Sequence, residues 1–335
     1  MRKEQRIEYI DFFRGIGILL MLVNHVYFGG FIYNISHAFH MPMFFIISGF
    51  LYSKKSKQQL STQSFIKKKA KSLLLPYFIF GILHYLIWIA IYGFSIEPLT
   101  HVFFYNTEEG MPIAGALWFL TALFITDVLF FVMDRYLRNR IVFTSTIVIL
   151  SMFGTLARII LPFTLPFALS AGFVGLGLFE IGVLLKKVSY SNIYRRFENF
   201  KPIIKYGILV FLFVLTCCLI FLNGAVNMRD GRYSLIPLFW INATLATVTG
   251  MLISKCWFEF KADGIVNGYI CSIGKESIVY LCLNQLVIFF AKEVGGIIAL
   301  PFILNQLIVL FISLIVLYLI CRIVFSTKLK ILFGK

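Results

Sequence analysis

Three histidines and an arginine stand in a part of the chain where apolar residues would otherwise run unbroken. Arg14 and His25 bracket RGIGILLMLVNH, and His37 and His40 follow in SHAFHMPMFFIISGFLY. An ionisable side chain at membrane depth costs roughly 2.5–3.5 kcal/mol on insertion scales, so each one marks a site with a partner to be found. An imidazole exchanges a proton near neutral pH and can act as a general base toward a hydroxyl. A guanidinium presents a planar fork of donors that suits phosphate oxygens. Plainer readings stand beside these: Arg14 paired with Asp11 and snorkelling to a surface, and His25 satisfied by a backbone carbonyl or by Asn24. His37 and His40 are three residues apart but bring no carboxylate or cysteine at ligand spacing, so no metal is expected.

On a helix with a rise of about 1.5 Å per residue, Arg14 and His25 share a face and lie about 16 Å apart, with Asp11 within reach of Arg14. Such a line needs a helix that crosses a membrane. The composition supports one: 60% hydrophobic residues, 14% charged residues and a mean hydropathy of +0.89 describe an all-α polytopic membrane protein, not a soluble core. Apolar runs of spanning length fall at Ile10–Phe28, Ile35–Tyr52, Leu73–Gly93, Ala114–Val132, Ile141–Leu161, Pro166–Leu185, Ile203–Leu222, Leu235–Cys256, Ile278–Lys292 and Pro301–Val324. That makes about ten transmembrane helices in a single domain over residues 1–335. The second and ninth runs are short, so a broken or re-entrant helix could lie there. Pro42 suits a first turn, and Ser48-Gly49 suits close helix packing.

The net charge of +16 does not point to nucleic acid, because the Lys and Arg residues cluster at the ends of apolar runs. Assigned to alternate connections, all but five of the 31 fall on one side; the five are Arg14, Arg158, Arg229, Arg232 and Lys292. By the positive-inside rule both termini are cytoplasmic, which requires an even number of spans. Arg14 then lies in the cytoplasmic half, and His25 and His40 near the outer end. The first run carries Arg14, Asn24 and His25 and reads as a retained span, not a cleaved signal. The basic segment Ser53–Ser72 either touches anionic lipid head groups or draws in a phosphorylated donor. Six cysteines without CxxC spacing read as small apolar residues.

Other polar residues each allow two readings. Trp118, with Phe119, either anchors at the outer interface or stacks on a sugar face. Glu108 and Glu109 sit in an outer connection and read as solvated or as acceptor contacts. Asp127, Glu180 and Glu276 lie in or beside apolar runs, with Glu180 a candidate buried partner for Arg14. Arg158 either faces the same cavity or snorkels.

DFFRGIGILLMLVNH, FHMPMFFIISGFLY at Phe39–Tyr52, ALWFLTALF at Ala116–Phe124 and GKESIVYLCLNQLVI at Gly274–Ile288 together resemble the membrane-bound acyltransferase family 3, in its stand-alone fucose 4-O-acetylase-like branch. Arg14 and His25 meet the family's spacing of Arg or Lys, ten residues, then His. The resemblance implies acetyl transfer from cytoplasmic acetyl-CoA to a sugar hydroxyl of a cell-surface polysaccharide or a lipid-linked precursor, in a bacterial plasma membrane. It implies His25 as base, with His40 orienting its imidazole or stabilising the oxyanion, and a covalent acyl-histidine as the alternative route. Arg14 with Asp11 is expected to hold the donor, and Trp118, His37 and Asn284 the acceptor. Related sequences often carry a histidine where this chain has Asn284. The extracellular SGNH-type domain of some members is expected to be absent. An exporter or flippase of lipid-linked sugars is the competing reading, because it too buries charges among about ten helices.

Overall fold

The computed structural model describes residues 7–53, 59–105, 112–191, 197–260, 264–296 and 300–335. Arg2, Lys3, Arg6, Lys54, Lys55, Lys57, Glu108, Glu109, Arg195, Arg196 and Lys261 lie outside these residues. The protein is an all-α polytopic membrane protein. Among the described residues, nine helices are long and apolar enough to cross a bilayer. Several of them present large apolar side chains outward, among them Ile203, Phe211, Phe221 and Phe311. That is the face expected of helices set in lipid.

Helix α1 (Glu8–Val26) is the first span. The second run, one of the two short runs that could hold a broken helix, is indeed interrupted. It breaks into α2 (Gly30–His37) and α3 (His40–Phe50), so the outer connection expected at Gly29–Asn34 is already helical from Gly30. With 11 residues, α3 is about 16 Å long, about half the hydrocarbon thickness. The break at Ala38–Phe39 releases carbonyls, and His40 Nδ1–H donates to one of them, Ser36 O, at 2.6 Å. Pro42 lies in the first turn of α3, where its missing N–H costs nothing.

The chain continues through α4 (Thr62–Lys69), a π-helical turn at Ala70–Leu74 and α5 (Leu75–Tyr92). Half of the segment expected to be a basic loop is therefore helix, capped by Ser61 Oγ, which accepts from Ser64 N at 3.1 Å. A 3₁₀ turn at Pro112–Leu117 leads into α6 (Trp118–Tyr136). Next come α7 (Arg140–Ile160), capped by Asn139, and α8 (Leu169–Ser189). Helix α9 (Pro202–Asn223) is followed by a hairpin, β1 (Val226–Asn227) and β2 (Arg232–Tyr233), and then α10 (Ile236–Phe260). Helices α11 (Ile265–Lys275), α12 (Ser277–Gly295) and α13 (Phe302–Ser326) complete the bundle.

Two close backbone approaches fix α1 and α3. A Cβ at Gly49 would collide with the Phe179 carbonyl, and one at Gly182 with the Ile46 carbonyl, so α3 and α8 touch main chain to main chain. Gly15 and Gly274 do the same for α1 and α11 against the Ile270 and Asp11 carbonyls. Small residues permit such crossings in membranes, where dispersion contacts replace the hydrophobic drive. The reading of Ser48-Gly49 as a packing site thus applies to Gly49, while Ser48 bonds back to Phe44 O at 2.8 Å.

Candidate active site

Two cavities are stacked along the same helices. The larger, about 390 Å³, opens at the end of the bundle carrying the basic connections and is lined by Arg14, Ser48, Lys69, Asp127, Lys275 and Lys335, among others. The smaller, about 40 Å³, lies toward the other end and is lined by His25, His37, His40, Trp118, Asn227 and Arg229, with Met21 and Met41 below them. It has room for about one water molecule. Both use α1, α3 and the Pro112–α6 segment at successive turns. Ile18, Phe44 and Phe119 face the larger cavity, and Met21, Met41 and Trp118 the smaller. The partition between them is about one helical turn thick. Within it the Phe44 and Phe119 rings meet edge to face, 5.8 Å between centroids.

In the larger cavity Arg14 Nη2 donates to Ser277 Oγ at 2.9 Å, and Arg14 lies 3.7 Å from buried Asp11. Lys69, delivered by the turn before the π segment, pairs with buried Asp127. Lys335 reaches the cavity because the final 3₁₀ turn folds back. A Cβ at Gly334 would collide with the Lys71 carbonyl, and Phe333 packs on Phe80 at 4.6 Å. Four cations thus surround a space with Asp127 on its wall and Asp11 behind Arg14, an arrangement suited to phosphates.

In the smaller cavity Gln285 is decisive. Its Oε1 accepts the Ala116 N–H at 2.7 Å, and its Nε2 lies 3.2 Å from His25 Nδ1. The first bond fixes which end of the amide is oxygen, so Nε2–H donates to His25. The neutral imidazole therefore keeps its proton on Nε2 and its lone pair on Nδ1. Gly115 makes room for this: a Cβ there would meet Gln285 Oε1 at 2.8 Å, Gln285 Nε2 at 2.9 Å and Arg229 Nη1 at 3.0 Å. Lys292 Nζ donates to the His25 carbonyl at 3.5 Å. His37 stacks on Tyr33 at 3.9 Å and bonds Asn24, while its ring lies 5.1 Å from that of His40. Among the described residues no group of three His, Cys, Asp or Glu is arranged to hold a metal.

Residues 7–322 match the protein family described as acyltransferase domain. The chain belongs to this acyltransferase family. A curated relative, the nodulation protein NolL of Mesorhizobium japonicum, is 30% identical over 171 residues, which cover 47% of this chain and 44% of that protein. This chain thus matches less than half of that relative's length. No solved structure matches the chain.

Of the residues expected at an acyltransferase site, His25, His37, His40 and Trp118 come together at one cavity and Arg14 lies at the other, with Asp11 behind it. Trp118 is buried and packed in the wall, not an interfacial anchor. Asn284 joins neither cavity. It is fully buried and its amide donates to its own helix, to Tyr280 O and Leu281 O. The next residue, Gln285, faces the site instead. Glu180 does not meet Arg14: it pairs with Arg140, because α8 presents it toward the start of α7. Asn24 is spent on His37, not on His25. Gln285, Gly115, Asn227 and Arg229 were missed. The first carries no charge to draw notice, and the last two arrive on a hairpin whose only sequence signal is the Asp230-Gly231 turn.

Proposed function

We propose that the chain moves an acyl group from a coenzyme A thioester, acetyl-CoA in the first instance, to a sugar hydroxyl presented at the opposite face of the membrane. The observation that carries this reading is that Arg14 and His25, on one helix, serve two stacked cavities at opposite ends of the bundle. The basic cavity would face the cytoplasm, where acyl-CoA is made, and hold its phosphates near Arg14, Lys275 and Lys335. The acceptor would be a cell-surface polysaccharide or its lipid-linked precursor, and the membrane a bacterial plasma membrane.

His25 then acts as general base. The acceptor hydroxyl enters the small cavity and replaces the Gln285 amide as donor to Nδ1. As the oxygen attacks the thioester carbonyl, Nδ1 takes the hydroxyl proton, an O–C bond forms and the C–S bond breaks. Nδ1 returns the proton to the departing thiolate. Arg229 is placed to offset the charge developing on the carbonyl oxygen. His40, whose Nδ1–H is held by Ser36 O, offers Nε2 as an acceptor and so suits orienting a hydroxyl rather than stabilising an oxyanion.

The test is transfer of label from acetyl-CoA in proteoliposomes supplied with surface glycan, read by mass spectrometry of the product. His25→Ala should abolish transfer while the protein still inserts in the membrane. Near-normal turnover in that variant would sink the assignment.

A further inference from the structure

Above the small cavity lies a wider one, about 430 Å³, between the end of α7, the 161–168 turn and the hairpin. Its volume is in the range of small-ligand sites, whereas the 40 Å³ histidine cavity admits only a reacting group. Arg229 lines both cavities. An acceptor whose hydroxyl reaches His25 would therefore rest its body in the outer space.

That space is cationic. Arg158 comes from the last turn of α7 and Arg229 and Arg232 from the hairpin, with Asp230 the acidic residue on the wall among the described residues. The Asp230 carboxylate does not pair closely with both Arg158 and Arg232. Arg158 Nη1 donates to the Asp230 backbone carbonyl at 3.0 Å, not to its carboxylate. Arg232 Nε lies 3.9 Å from Asp230 Oδ2, which already accepts from Asn227 Nδ2 at 2.9 Å. Membrane topology gives these arginines no reason to gather here, because this end holds few of the chain's cations. A snorkelling arginine also needs no second guanidinium beside it.

We infer that the acceptor is anionic, a glycan whose carboxylate or phosphate is held by Arg158 and Arg232 in the outer cavity while its hydroxyl reaches past Arg229 to His25. The inference rests on the acyl-transfer reading for the role of the bound molecule, but not for its binding. The carboxylate arm corresponds to an acidic sugar, and the phosphate arm to a phosphodiester polymer or a polyprenyl-linked sugar.

The full chain, purified in detergent, is titrated with methyl glucuronide, glucose 1-phosphate and neutral methyl glucoside, and binding is followed by saturation-transfer NMR. At least one charged probe should bind about tenfold more tightly than the neutral one. The preference should vanish in Arg158→Gln/Arg232→Gln and return in part in Arg158→Lys/Arg232→Lys, whose thermal unfolding midpoint also checks the fold. Equal binding of charged and neutral probes overturns the inference. So does a preference that survives the double glutamine variant, since the anion is then held at the basic end. If the preference behaves as expected but no label passes from acetyl-CoA to any glycan, the anion site stands and the acyl-transfer reading falls. If label passes with no anion preference, the reverse holds.

Discussion

Gln285→Glu isolates the bond that sets the protonation pattern of His25. The side chain keeps its length, and one carboxylate oxygen can still accept the Ala116 N–H that Gln285 Oε1 accepts at 2.7 Å. The other oxygen now faces His25 Nδ1, where an amide N–H stood at 3.2 Å. A carboxylate only accepts, so the proton moves to Nδ1 and the lone pair to Nε2. A hydrogen bond to a charged group contributes about 1.5–3 kcal/mol, which converts to a tautomer ratio of about 10 to 150. If Nδ1 is the base, kcat should fall by about that factor. KM for acetyl-CoA should hold, because the proposed phosphate site at Arg14 is about 16 Å away along the helix. Initial rates in proteoliposomes over a range of donor concentrations separate the two parameters. Gln285→Met, which removes both bonds and leaves the ring free to take either tautomer, should lose less kcat. An unchanged or raised kcat in Gln285→Glu would refute the argument, and a rise would place the reacting lone pair on Nε2.

Gly115→Ala should fold, since its Cβ meets only the flexible ends of Gln285 and Arg229, yet lose about tenfold in kcat by displacing the amide from His25; the assay is the same, with thermal unfolding as the control. Lys69→Met leaves the Asp127 carboxylate buried without its partner and should cost about 3 kcal/mol, seen as a lower unfolding midpoint in detergent, while Lys69→Met/Asp127→Leu recovers most of it. Gly49→Val should abolish folded yield on size-exclusion chromatography, because the Phe179 carbonyl occupies the space its side chain needs. Glu180→Arg/Arg140→Glu should restore stability lost in either single variant, whereas exchanging Glu180 with Arg14 should not.

The span pattern was legible because its signal is additive: some twenty apolar residues in a row outweigh any local irregularity. The break between α2 and α3 was not legible in detail. Ala38 and Phe39 break no propensity rule, and the interruption is held by a side chain, His40 on Ser36 O. Helix α11 was missed because 11 residues are too short to read as a span, yet it packs directly on α1 through Gly15 and Gly274. Arg14 and His25 could be placed from helical geometry because both lie on one unbroken helix. Gln285 and Asn284 could not be told apart this way, since neighbours on a helix point about 100° apart and nothing in the sequence says which face meets α1. The partners of Glu180 and Asn24 depend on contacts between helices, to which periodicity along one chain is blind.

Under the proposed reaction, the partition between the cavities has a chemical reason. A base that takes a proton from a sugar hydroxyl takes one equally well from water, and a thioester beside an open channel would be hydrolysed. Met21, Met41, Phe44 and Phe119 place about one turn of apolar side chain between the basic cavity and the histidines. Methionine and edge-packed phenylalanine are well suited to such a barrier, because thioether chains change rotamer at small cost and the rings slide past each other without losing contact area. Under the proposed reaction, the same layer would have to give way to the slim pantetheine arm of the donor, while Arg14 and the lysines would hold back its nucleotide. Trimming it, as in Phe119→Ala, should therefore raise acetyl-CoA hydrolysis in the absence of acceptor more than it raises transfer in its presence. A barrier of this kind acts on water first and on the donor second. Hydrolysis at the wild-type level in Phe119→Ala would mean that water is kept out by something other than these side chains.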